Sequence, residues 1–232
     1  VDWAHDDPAA GAFQKMRMTN GAQCPNYEVV RGPLCAIVRR FGFPHSPAHP
    51  LFTPSRLFMD FSYTFYASAP YFLKDGRMEA TRDFAMHIAR DDEWYFAGQP
   101  FDERLWMDEE GRVHEGAIPA EQVDRVWGAG FLNRETRDSI FAIYLTHRLD
   151  VPAEAGPEAT SGVKLYHHMD LTLKHSLGGN PPHAHVWCRP PVRDNPRFKA
   201  GVALVQHSAY LLAFYPVGDG ASRLEALRER LL

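Results

Sequence analysis

Apolar and polar positions alternate with a period of two along much of this chain. The clearest case is Leu57–Ala67. Leu57, Met59, Phe61, Tyr63 and Phe65 share one face there, and Phe58, Asp60, Ser62, Thr64 and Tyr66 the other. Alternation with aromatic residues predicts a strand with one face in a core. Further strands are predicted at Arg82–Arg90, Trp94–Ala97, Glu103–Met107, Ser139–Arg148, Val163–Lys174, His183–Cys188 and Ala209–Tyr215. Glu103–Met107 turns through Asp108-Glu109-Glu110-Gly111 into Arg112–Glu115, a hairpin pattern.

Helical spacing is rarer. Asp7-Pro8 suits the start of a short helix running to Met18, and Pro119 starts another that ends at Trp127. At the C-terminus, Leu224, Leu227 and Leu231 form one apolar face of a helix over Ser222–Leu232, with Ser222 and Glu225 as a capping box. Residues 1–27 read as an N-terminal arm, and residues 151–162 as a surface loop within a single domain, 1–232. Runs of strands with few helices between them predict a mainly β (α+β) fold: an antiparallel barrel or sandwich with two or three short helices, including the C-terminal amphipathic one.

Composition narrows the partners. The chain has 232 residues, 45% hydrophobic and 12% aromatic, with a formal charge of −4. That is enough to bury a sizeable core, and no basic stripe speaks for nucleic acid. No apolar run reaches the length of a membrane span, so no membrane partner is expected. A small-molecule substrate is expected, and a homo-oligomer is left open. Three cysteines (Cys24, Cys35, Cys188) do not make a disulfide scaffold, although Cys24 and Cys35 could pair in an exported protein. The compartment is open, with the cytoplasm favoured; because the chain starts at Val1, a processed exported form stays an alternative.

The candidate chemistry lies in histidines. Five of twelve fall between Lys164 and Pro191: His167, His168, His175, His183 and His185. Imidazole binds metals and moves protons near neutral pH. Strand parity in Val163–His175 puts His167 and His175 on an apolar face, and His168 and Asp170 on a polar one. In Ser139–Arg148, His147 shares parity with Phe141, Ile143 and Leu145. His183-Ala184-His185 places two imidazoles on one strand face, where both could reach one ion. This pair resembles the HxH element of cupins, but VWCRPP follows without that family's Glu. His168-Met169-Asp170 resembles the HxD element of iron/2-oxoglutarate oxygenases. Its distal partner would be His207, yet no Arg follows until Arg223.

These residues predict a small β-rich enzyme with one divalent metal, Zn or Fe, acting on a small aromatic or apolar substrate as a lyase, hydrolase or oxygenase. His175, His183, His185 and His167 are the expected ligands. His147, Asp170 and His168 are the expected acid–base groups. The alternatives are a metal-free His/Asp lyase or isomerase, and a non-enzymatic β-barrel carrier of a hydrophobic ligand or haem. The acidic clusters Asp91–Glu93 and Asp108–Glu110 read as solvated turns.

Overall fold

The computed structural model describes residues 3–6, 15–16, 27–42, 57–90, 92–98, 100–118, 126–156, 159, 172–189, 197–212 and 219–232, with the backbone alone at 3–6, 15–16, 85–90, 92–93, 172–175 and 187–189. Its strands are β1 (Trp3–Asp6), β2 (Lys15–Met16), β3 (Tyr27–Arg31), β4 (Cys35–Gly42), β5 (Leu57–Tyr66), β6 (Tyr71–Ala80), β7 (Phe84–Arg90) and β8 (Asp92–Ala97). They continue with β9 (Glu103–Met107), β10 (Val113–Glu115), β11 (Gly128–Leu132), β12 (Ser139–Asp150), β13 (Thr172–Gly178), β14 (His183–Arg189), β15 (Arg197–Phe198) and β16 (Ala203–Leu212). One helix, α1 (Gly220–Leu231), closes the chain.

The frame is a nine-stranded sheet in the order β10-β9-β11-β12-β16-β6-β5-β4-β3, and every pairing in it is antiparallel. A four-stranded sheet (β15-β7-β1-β2) and a three-stranded one (β13-β14-β8) complete the β structure. None of the three sheets closes on itself among the described residues, so the fold is sandwich-like; a barrel is not formed by these pairings. Among the described residues no helix is long and apolar enough to cross a membrane.

Both faces of the large sheet are buried over part of their area. On the inner face Leu57, Met59, Phe61, Met78, Phe131, Tyr144 and Tyr210 pack against Phe84, Ala184, Val186 and Phe198 of the smaller sheets. On the outer face Leu105, Met107, Phe141, Ile143 and Leu211 pack against Leu224 of α1, with Leu227 and Leu231 beside it. The outer face is covered there by α1, and farther along, over β4, β5, β6, β16 and β12, it opens into a polar cleft.

Several elements differ from the sequence expectation. Residues 15–16, within the expected N-terminal helix, are strand β2, and Val126-Trp127 lead directly into β11. Most of Val163–Lys174 lies outside the described residues, and β13 starts at Thr172. The expected capping box does not form. Asp219 precedes α1 without a side-chain cap, and Glu225 Oε1 accepts from the Val113 backbone N–H at 2.9 Å instead, tying helix to hairpin.

The largest consequence comes from β12. Its register with β16 shifts between Tyr144 and Thr146, pairing Tyr144 with Ser208 and Thr146 with His207. Leu145 is the extra residue of a bulge, which reverses parity for everything after it. Phe141 and Ile143 therefore face α1, whereas His147 lies on the inner face with Tyr144. The expected sharing of one face by Phe141, Ile143 and His147 is corrected by this single inserted residue.

Candidate functional site

Two cross-strand rows build the outer cleft. Register places Arg39, Ser62, Asp75, His207 and Thr146 side by side on β4, β5, β6, β16 and β12. Two residues along lie Asp60, Arg77, Val205 and Arg148. Directly opposed residues share a face, so both rows point to the same side. The cleft they enclose holds about 530 Å³ and is open to solvent.

The side chains are held by each other. Arg39 donates Nε to Asp60 Oδ1 at 2.8 Å and Nη2 to Oδ2 at 2.6 Å, a bidentate pair. Asp60 raises the guanidinium's pKa still further above its ordinary value, so Arg39 is a fixed positive charge. Arg77 donates to Asp150 at 2.7 Å and to Glu79 at 3.1 Å, and Arg148 reaches the other Asp150 oxygen at 2.9 Å. Arg148 first, and Arg77 with it, hold Asp150 below the ordinary carboxylate range despite partial burial. His207 donates Nδ1–H to Asp75 Oδ1 at 2.6 Å. Val205 is the apolar exception in a wall of alternating donors and acceptors.

Gly76 lies between Asp75 and Arg77 with its Cα in the inner row. A Cβ there would come within 2.5 Å of the Phe61 ring and 2.7 Å of Gln206 Cγ. The absent side chain lets Phe61 lie under the cleft floor.

Of the described sequence-predicted histidines, His175, His183 and His185 lie in the three-stranded sheet and His147 in the nine-stranded one. His183 and His185 do share a face of β14, alternating with buried Ala184 and Val186. Tyr95 of β8, opposite His185 in register, contacts both rings, stacked on His183 at 5.4 Å and edge-on to His185 at 5.6 Å. His183 donates Nδ1–H to the Pro181 carbonyl at 3.1 Å, and Nε2 accepts from Ser176 Oγ at 3.4 Å. His175 is paired in register with Val186, out of step with both; its side chain lies outside the described residues, as do His167, His168 and Asp170 entirely. His147 is buried in the large sheet, edge-on to Tyr144 at 6.0 Å. It lies in an inner polar set with Gln206, Lys74 and Ser208. Among the described residues no group of three or more His, Cys, Asp or Glu could hold a metal ion.

The cleft was missed by sequence reading. Its residues come from five strands, each contributing one or two polar positions. The available signals were the polar parity of β5, Asp60 and Ser62, and the forked donors of Arg39, which suit a bound carboxylate.

No family model matches the chain, and no curated protein matches it either. Solved structures do. GH36 α-galactosidase AgaA A355E D478A from Geobacillus stearothermophilus, in complex with stachyose, superposes with a TM-score of 0.58 at 9% identity, over 99% of this chain and 32% of that one. AgaB of the same organism gives 0.57 at 7% identity, over 96% and 31%. AgaA A355E D548N in complex with raffinose gives 0.56 at 8% identity, over 96% and 31%. The present fold is thus similar to a portion of these galactosidases. This chain spans about a third of their length.

This likeness overturns the expectation of a metal-centred enzyme for a small aromatic or apolar substrate. The polar groups that line a cleft here are carboxylates and guanidinium groups, not clustered imidazoles.

Proposed function

We propose that this chain is a carbohydrate-binding β-sandwich module that holds a hydroxyl-rich ligand in the cleft over β4, β5, β6, β16 and β12. The observation that carries this reading is the cleft's lining. Asp75, Asp60, Arg39, Arg77, Arg148 and His207 alternate acceptors and donors across some 530 Å³ of open space. A sugar hydroxyl both donates and accepts, so it matches such a surface better than an apolar ring does. The mutual ion pairs fix each side chain's geometry before a ligand arrives, which lowers the ordering cost of binding. The similarity of the fold to part of the α-galactosidases supports the same class of ligand.

The test is a titration of the purified chain with galactose, raffinose, stachyose and a panel of other mono- and oligosaccharides, read by NMR shift perturbation or calorimetry. Saturable binding is expected for at least one of them. It should weaken by about tenfold or more in Asp75→Ala and Arg77→Ala, the cost of about one charged hydrogen bond. Folded protein that binds no member of the panel at tens of millimolar sugar overturns the reading.

A further inference from the structure

At the far edge of the large sheet, β3 has no neighbour beyond β4 among the described residues. All five of its residues are exposed. Tyr27, Val29 and Val30 lie on it, Leu34 on the turn beside it, and Phe65 and Tyr66 two strands in. Together they are six of the ten large apolar side chains exposed among the described residues. Edge strands are usually blunted by proline, lysine, a bulge or a covering element. Among the described residues β3 has no proline, lysine, bulge or covering element, and its two charged residues, Glu28 and Arg31, are of opposite sign.

The direction of its free backbone groups follows from the hairpin. Gly32 N–H donates to Cys35 O at 2.9 Å, which makes Gly32 and Cys35 a hydrogen-bonded pair. Such pairs alternate in an antiparallel ladder. Val30/Ile37 and Glu28/Arg39 are then the next hydrogen-bonded pairs, and Tyr27, Val29 and Arg31 turn their N–H and C=O groups outward.

We infer that β3 pairs antiparallel with β3 of a second copy of this chain, across a two-fold axis at Val29. This is the one symmetric register in which all three outward residues find outward partners: Val29 opposite Val29, and Tyr27 opposite Arg31 twice. It yields about six inter-strand hydrogen bonds. It also sets each Arg31 guanidinium beside a Tyr27 ring, a cation–π arrangement. Shifting the axis to Glu28 would oppose two carboxylates, and shifting it to Val30 would bring Pro33, which has no N–H, against Tyr27. Because the axis is perpendicular to the sheet, the clefts of both copies open on the same side.

Sedimentation velocity or light scattering on the intact chain tests this, with Val29→Pro as the first variant. A proline at an outward-facing edge position keeps the β4 pairing and removes an outward donor. The expected result is a concentration-dependent dimer that becomes monomeric in Val29→Pro, with circular dichroism unchanged. A second readout does not depend on that variant folding. In the proposed register Glu28 opposes Val30 of the other copy. Mild oxidation of a mixture of Glu28→Cys and Val30→Cys proteins should therefore give a crosslinked dimer well above that of either protein alone. A wild-type chain that stays monomeric at about 100 μM, or crosslinking no greater in the mixture, overturns the inference.

Discussion

Gly76 shows how closely a single position can couple the core to the cleft. Its backbone sits between two charged cleft residues, and its missing side chain is filled by Phe61 from β5 and Gln206 from β16. Phe61 is fully buried, and Lys74 Nζ lies 5.1 Å from its ring centroid, so the ring has little room to retreat. Gly76→Ala should therefore cost about 1–3 kcal/mol by overpacking. Chemical denaturation would show the loss. A variant as stable as the parent would mean that Phe61 can rotate away freely.

Among the elements, α1 has the clearest energetic role. It covers the half of the outer face that would otherwise expose Phe141, Ile143 and Leu211. Its Leu224 is fully buried against the sheet, and its Arg228 stacks over the Trp127 ring at 4.8 Å. Leu224→Ala should destabilise the fold by about 2–5 kcal/mol through lost burial and a cavity. Glu225→Ala should cost less, because it removes one hydrogen bond to Val113 N–H, which lies at a partly exposed hairpin. Thermal unfolding of the two variants orders them, and the reverse order would show that the helix is held by its polar tie instead of its apolar face.

Elements also show which patterns could be read from sequence. β5 alternates plainly because one face is core and the other polar cleft. β6 carries Lys74, Asp75, Arg77 and Glu79 within ten residues, so its central position in the sheet leaves no apolar signature. β11, Gly-Ala-Gly-Phe-Leu, lacks β-branched residues: a Cβ on Gly128 or Gly130 would come within 2.0 Å of a β12 carbonyl oxygen, so packing demands glycine where propensity argues against a strand. In β12 both faces are buried, and the bulge at Leu145 hides the change of parity that carries His147 to the other side.

At the scale of the whole molecule, carboxylate ion pairs tie distant segments and set the response to acid. Asp83 holds Lys199 and the Ala200 N–H, Asp150 joins β6 to β12, and Asp108 secures the β9–β10 hairpin. For Asp108, burial acts to raise the pKa, but hydrogen bonds from His114 and Arg112 outweigh it and leave it lowered. Asp83 and Asp150 are lowered as well. A folded-state pKa below the unfolded one gives stability that is complete above the unfolded value, 3.8 for Asp108, and is lost as pH falls through the folded value. Stability should thus fall steeply below about pH 4, and Asp108→Asn should flatten that limb while lowering stability at neutral pH by about 1–3 kcal/mol. Urea unfolding from pH 2 to 7 would show both effects. An unchanged acid limb in the variant would remove Asp108 from the account.

The sequence by itself determined that this is an antiparallel β protein with a C-terminal amphipathic helix, because side-chain alternation and leucine spacing are local properties of the chain. It also determined that His183 and His185 share a strand face. Tertiary structure alone decided what surrounds them: Tyr95 from another strand packs against both rings, and His147 belongs to a different sheet. It decided the cleft too. Arg39, Asp60, Asp75, Arg77, Arg148 and His207 are as much as 168 residues apart in sequence, and they meet only because five strands pair in one register. A cleft of this kind depends on strand order and on one bulge, and neither leaves a periodic trace along the chain.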